Sequence, residues 1–97
     1  MNKNEENSAS IFSTRDLYLA STLVTLHFPL LGVDMQIEGI KPKAIGYFNF
    51  ETSPELRDAC NKYNQGLLLV EPRMYITTLQ SLKSHVVNMQ QNPNYGM

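Results

Sequence analysis

Two stretches near the middle of the chain alternate apolar and polar residues with a period of two. The first is Leu31-Gly-Val33-Asp-Met35-Gln-Ile37-Glu38; the second is Lys43-Ala44-Ile-Gly46-Tyr-Phe48-Asn-Phe50. Period two is the mark of a strand with one buried face. Between them, Gly39-Ile40-Lys41-Pro42 reads as a four-residue hairpin loop that sets Glu38 opposite Lys43. In that register Leu31, Val33, Met35, Ile37, Ala44, Gly46, Phe48 and Phe50 share one face. A slip of one residue would send Phe48 and Phe50 to the side away from Val33 and Met35, so the pattern fixes the pairing. A lone hairpin is marginal in water, and its apolar face requires helices to lie on.

The flanking segments supply those helices. Ser13-Thr14-Arg15-Asp16 reads as a capping signal with Ser13 as N-cap and Asp16 three residues on, predicting a helix over Thr14 to His27. Its apolar positions, Leu17, Leu19, Ala20, Leu23, Val24 and Leu26, form a stripe wide enough to face both a sheet and a second helix. Pro29 follows two residues after His27, where proline cannot continue a helix. After the hairpin, Ser53-Pro54 opens a second helix with Leu56, Ala59, Cys60 and Tyr63 on one face, and Gly66 is its terminator. Leu67 to Val70 reads as a third strand or as a buried connector; periodicity does not separate the two. Pro72 then opens the longest helix, to Met89, with Tyr75, Leu79, Leu82 and Val86 at helical spacing and Ile76 and Val87 beside them.

The expected class is therefore α+β, with helix, hairpin, helix, helix in order and a two-stranded antiparallel sheet, three-stranded if Leu67 to Val70 pairs. Residues 1–10 and 89–97 are polar and read as a disordered N-terminal tail and a flexible C-terminal tail around a single domain over 11–88. About 80 residues bury only roughly 60% of the surface their unfolded chain exposes, so the stability margin is thin and self-association into a dimer would help.

Several of these segments also resemble a known group. Asp16-Leu-Tyr-Leu-Ala-Ser21, Leu31-Gly-Val-Asp34, Tyr47-Phe-Asn-Phe50, Ser53-Pro-Glu-Leu56 and Val70-Glu-Pro-Arg73 are similar to a family of small uncharacterised domains of bacteria, archaea and their phages. The resemblance spans most of residues 12 to 88, with Glu71 standing where an aspartate is expected. It implies no activity. It does imply the setting of a phage or mobile element, where small accessory proteins abound.

Charge and chemistry narrow the function classes. Eight basic and nine acidic residues give a net charge of −1, so no global field steers the chain toward nucleic acid or membrane. A single cysteine excludes an intramolecular disulfide, and with only two histidines it argues against zinc sites of the usual types. No leader pattern and no apolar run near the ~20 residues of a membrane span are present. A cytoplasmic location without membrane contact fits. Cys60 reads as a small core residue, His27 and His85 lie in no metal or triad spacing, and the glycines form no phosphate loop. An enzyme is not expected, nor a cofactor.

The hairpin's outer face holds the candidate contacts. Ile45 and Tyr47 are bulky for a solvated face, which fits cover by Leu67 to Val70 or a helix, a homodimer contact, or a ligand platform. Lys41 and Lys43 at the tip, with Tyr47 along the ribbon, could meet phosphates and stack on bases. Arg15 and Arg73 stand in the first turns of helices, beside backbone N–H groups. Asp34 and Glu38 on the same ribbon face would repel phosphates. The expected role is a non-enzymatic accessory binding module that contacts nucleic acid through the hairpin, or else a self-associating protein–protein adaptor or inhibitor.

Overall fold

The computed structural model describes residues 10–40 and 43–91. Three helices and three strands follow in the order β1 (Ile11–Thr14), α1 (Leu17–Thr25), β2 (Leu30–Glu38), β3 (Lys43–Glu51), α2 (Pro54–Gln65) and α3 (Pro72–Gln91). The sheet is antiparallel and three-stranded, with β3 in the centre and spatial order β1-β3-β2. The α+β class and the hairpin stand as expected. Lys41 and Pro42 of the hairpin loop, and residues 1–9 and 92–97 of the tails expected at 1–10 and 89–97, lie outside the described residues; residues 89–91, expected in the C-terminal tail, belong to the last turn of α3.

The hairpin register is the one its pattern dictates. Glu38 pairs with Lys43, Ile37 with Ala44, Met35 with Gly46 and Val33 with Phe48. One departure occurs at its base, where a bulge between Leu30 and Gly32 makes Leu30 the partner of Phe50. The extra residue, Leu31, turns out to solvent and is 54% exposed, while Leu30 packs against the core in its stead.

The third strand lies where a helix start was expected. Ile11 to Thr14 pairs with Glu51 to Phe48, so Ser13 is a strand residue opposite Asn49 and not an N-cap. The cap is Asp16, whose carboxylate accepts from the N–H groups of Tyr18 and Leu19 at 2.9 and 3.2 Å. An aspartate accepts two such bonds readily and its charge suits the positive helix end. Leu67 to Val70 forms no strand; it is a connector that tucks Leu68 against the core.

Both short helices end alike. The N–H of Phe28 reaches the carbonyl of Leu23 and that of His27 reaches Val24, with His27 in the left-handed region at φ 75°. The same pair of bonds closes α2 around Gly66 at φ 73°. These are Schellman closures, which glycine adopts freely and histidine adopts at a cost. Ser53 caps α2 through its hydroxyl on the Leu56 N–H at 3.0 Å, with Pro54 in the first turn.

The core joins Leu19, Ala20 and Leu23 of α1 to Phe48 and Phe50 of β3, Leu56 and Ala59 of α2 and Leu82 of α3. Helix α1 is the central element and is buried nearly all round. Two of its three buried polar residues, Thr22 and Thr25, donate to the carbonyls one turn back, at 2.8 and 2.7 Å; the third is Ser21. The apolar face of the hairpin meets the core only at its base. Toward the tip, Ile37 is 69% exposed. No helix among the described residues is long and apolar enough to cross a membrane.

Candidate partner-binding groove

β1 ends at Thr14, opposite Phe48, so among the described residues no strand pairs with the tip-ward half of β3 on that side. Helix α3 comes up along this gap. Its Val86 lies so close to Gly46 that a Cβ added there would stand 3.0 Å from Cγ2. Gln90 donates from Nε2 to the Ala44 carbonyl at 2.8 Å. The first contact covers the inner face of β3 at Gly46 and the second engages its free edge. What they leave in front is a groove of about 230 Å³ with an apolar floor of Leu17, Ile45, Phe48, Val86 and Val87. Arg15, Lys43 and Lys83 stand around it.

Three elements supply those cations, each for a local reason. Arg15 sits in the two-residue link between β1 and α1. Lys43 opens β3 on the outer face, opposite Glu38. Lys83 belongs to the α3 face that also presents Val86, Val87 and Gln90, three, four and seven residues on. The guanidinium of Arg15 donates from Nη1 to Glu38 Oε1 at 3.3 Å, and both side chains are substantially exposed. The phenol of Tyr47 donates to the other oxygen, Glu38 Oε2, at 2.5 Å. That hydrogen bond to the carboxylate holds the Tyr47 phenol above its ordinary pKa. Glu38 is thus occupied on both oxygens, and neither lysine is paired with it.

The rest of the outer face is a polar relay. Ser13 donates to Asn49 Oδ1, and Asn49 Nδ2 donates to Asp34 Oδ2 at 2.8 Å. This relay ties β1, β3 and β2 together across the side away from the helices.

Of the residues singled out from the sequence, the structure gathers Arg15, Lys43 and Ile45 at one groove and joins Tyr47 to them through Glu38. Lys41 lies outside the described residues. Arg73 is not part of the cluster; it borders a shallow recess with Met74, Thr77 and Thr78, ten residues or about 15 Å of helix from Lys83. Arg15 is in a link between strand and helix, not in a helix's first turn. Lys83 was not among the candidates, although its spacing from Val86, Val87 and Gln90 on one helix face was readable. Ile45 lines the groove together with α3 residues, whereas Leu68 and Val70 border a separate cleft with Thr22, Tyr63 and Tyr75. In that cleft burial, chiefly, pushes the phenols of Tyr63 and Tyr75 up, and Asp16 adds to it.

Cys60 is half-buried on α2, and burial raises its thiol pKa, the opposite of what activates a nucleophile. No group of three or more histidine, cysteine, aspartate or glutamate side chains among the described residues is arranged to hold a metal ion. Compared with known proteins, the chain matches no family model, no curated protein and no solved structure. The resemblance read from the sequence rests on its motifs alone.

Proposed function

We propose that the chain is a small non-enzymatic binding module whose β3–α3 groove takes an acidic, apolar segment of a partner protein. The observation that carries this reading is the placement of Lys43 and Lys83, with no ion pair to another described residue, over a floor of Ile45, Val86 and Val87. An apolar floor desolvates a partner's side chains, and the surrounding ammonium groups select carboxylates beside them. Nucleic acid would use the same cations, but its phosphates would also face Asp34 and Glu38 on the adjoining sheet surface. Tyr47, engaged with Glu38, is not presented as a free stacking platform. A phage or mobile-element setting follows from the resemblance and suits a small adaptor of this kind.

The test uses two fluorescent peptides of equal length, one alternating glutamate and leucine, the other lysine and leucine, and a mixed-sequence oligonucleotide. The glutamate peptide binds, the lysine peptide does not, and Lys43→Glu with Lys83→Glu abolishes the difference. Failure of the glutamate peptide to bind overturns the reading. Oligonucleotide binding that weakens steeply between about 50 and 200 mM salt and is lost in the same double variant replaces it with the nucleic-acid one.

A further inference from the structure

The two sides of the sheet are treated differently. On the β1 side Gln90 bonds the edge backbone of β3 at Ala44, whereas among the described residues no element covers the outer edge of β2 along Val33 to Ile37. The backbone of that open edge can be assigned residue by residue. The Thr52 N–H bonds to the Ser10 carbonyl, so the even-numbered residues of β3 direct their backbone toward β1. The odd-numbered ones, Lys43, Ile45 and Tyr47, therefore bond to Glu38, Gln36 and Asp34 of β2. This leaves the N–H and C=O groups of Val33, Met35 and Ile37 pointing outward. Edge strands in natural sheets are ordinarily blunted by charged side chains, lysine above all, by proline, by a bulge or by a covering element. Between Val33 and Ile37 β2 carries one charge, Asp34, and among the described residues no lysine, proline or covering element; its bulge lies below, at Leu30–Gly32. The same three residues, with Ala44 and Met89, line a recess of about 450 Å³, and Asp34 and Gln90 add polar groups to its lining.

We propose that this edge pairs with its own copy, β2 against β2 about a two-fold axis at Met35, making one continuous six-stranded sheet. The occupant follows from charge. Outward-facing residues are odd-numbered, so a two-fold antiparallel pairing must centre on a residue, and centring it on Val33 or Ile37 would run the pairing into the bulge or past the end of the strand, which leaves Asp34, Met35 and Gln36. Centring it on Asp34 sets Asp34 opposite Asp34 of the second copy. Centring it on Gln36 sets Asp34 opposite Glu38. Like charges directly opposed destabilise a pair. Centring it on Met35 sets Asp34 opposite Gln36 and Glu38 opposite Gly32, with no like charges facing, and sets Val33 against Ile37 on the apolar side. The strand is self-complementary in that register. Ile37, 69% exposed in the single chain, is then covered. The β3–α3 groove lies beyond the opposite side of the hairpin and stays open, so this association is independent of the partner peptide.

The experiment is size-exclusion chromatography with light scattering from about 1 to 200 µM, since assembly follows mass action. The native chain is expected to reach twice the chain mass within that range. Ile37→Lys, at a position too exposed to matter to the monomer's fold, is expected to weaken the dimer at least about tenfold, with an unchanged circular dichroism spectrum. Register is read by cross-linking with oxidised glutathione in a Cys60→Ala background. Met35→Cys places two thiols at a paired position with Cα atoms about 5.5 Å apart, and a covalent dimer forms. Gln36→Cys sets its thiols on a diagonal, about 7–8 Å apart, and no covalent dimer forms. A monomer at every concentration overturns the proposal. So does a dimer indifferent to Ile37→Lys, or one cross-linked through Gln36→Cys and not through Met35→Cys.

Discussion

The base and the tip of the hairpin are written in the same alphabet and live in different surroundings. At the base, Val33, Phe48 and Phe50 alternate with Gly32, Tyr47 and Asn49, and Phe48 and Phe50 are buried beneath α1 and α2. At the tip, Met35, Ile37 and Ala44 alternate with Gln36, Glu38 and Lys43 just as regularly, yet Ile37 is mostly in water. Alternation records which face of a sheet is apolar. Whether that face is covered depends on the length and angle of the helices, and here only the last turns of α3 reach the tip. An apolar face that the described residues leave largely uncovered is a place to look for what does cover it.

The comparison is open to direct attack. The largest effect is expected at the base: Phe50→Ala removes a fully buried ring and should cost about 3–5 kcal/mol, enough to unfold much of the population of a domain this small. Ile37→Ala at the tip, measured in monomeric conditions by the same urea titration, should change stability by less than about 0.5 kcal/mol. Equal losses at the two positions would erase the distinction drawn here. The boundary between the halves is Gly46, and Gly46→Ala drives a methyl into Val86. Overpacking of that kind should cost about 1–3 kcal/mol, and adding Val86→Ala should return part of it. If the second change adds a further loss, the close approach is not what limits the site.

A smaller effect tests where α1 begins. Asp16→Ala should cost about 1 kcal/mol, as loss of an N-cap does, whereas Ser13→Ala should cost less because Ser13 makes only its exposed bond to Asn49. The smallest effect lies on the outer face of the tip, where Glu38→Gln removes an exposed ion pair and should cost at most about 1 kcal/mol. It should also move the Tyr47 phenol back toward its ordinary value, read by ultraviolet titration. The sign of the pH dependence follows from the raised phenols of Tyr47, Tyr63 and Tyr75. Each holds its proton more tightly in the folded chain than in the unfolded one. Their contribution is present in full below about pH 10 and is lost as pH rises beyond it, so stability should decline on the alkaline side.

Much of the fold was legible in the residues. Period two with Glu38 facing Lys43 left one register for the hairpin, and Ser53-Pro54 with Gly66 bounded α2 within its actual limits. What escaped was set by distant partners. Ser13 and Asp16 are both competent N-caps three residues apart, and local chemistry does not choose between them. Pairing with β3, thirty-six residues away, does. The bulge that turns Leu31 outward and Leu30 inward likewise leaves no trace in two adjacent leucines. The candidate groove was half legible. Lys43 and Ile45 could be placed on one ribbon, but their meeting with Lys83 depends on how α3 crosses the sheet, and so does the separation of Arg73.

The strand order also governs how the chain is made. β1 leaves the ribosome first, but its mate is the central strand, and Ser13 waits thirty-six residues for Asn49. At about 5–20 residues per second that is a delay of a few seconds. Once both are out, β2 and β3 zip together in microseconds. The nascent chain therefore carries a finished hairpin with two receptive edges, and β1 must dock on one of them before another strand does. A neighbouring copy emerging on the same polysome competes for that berth, and the rate of synthesis sets how long it has to do so.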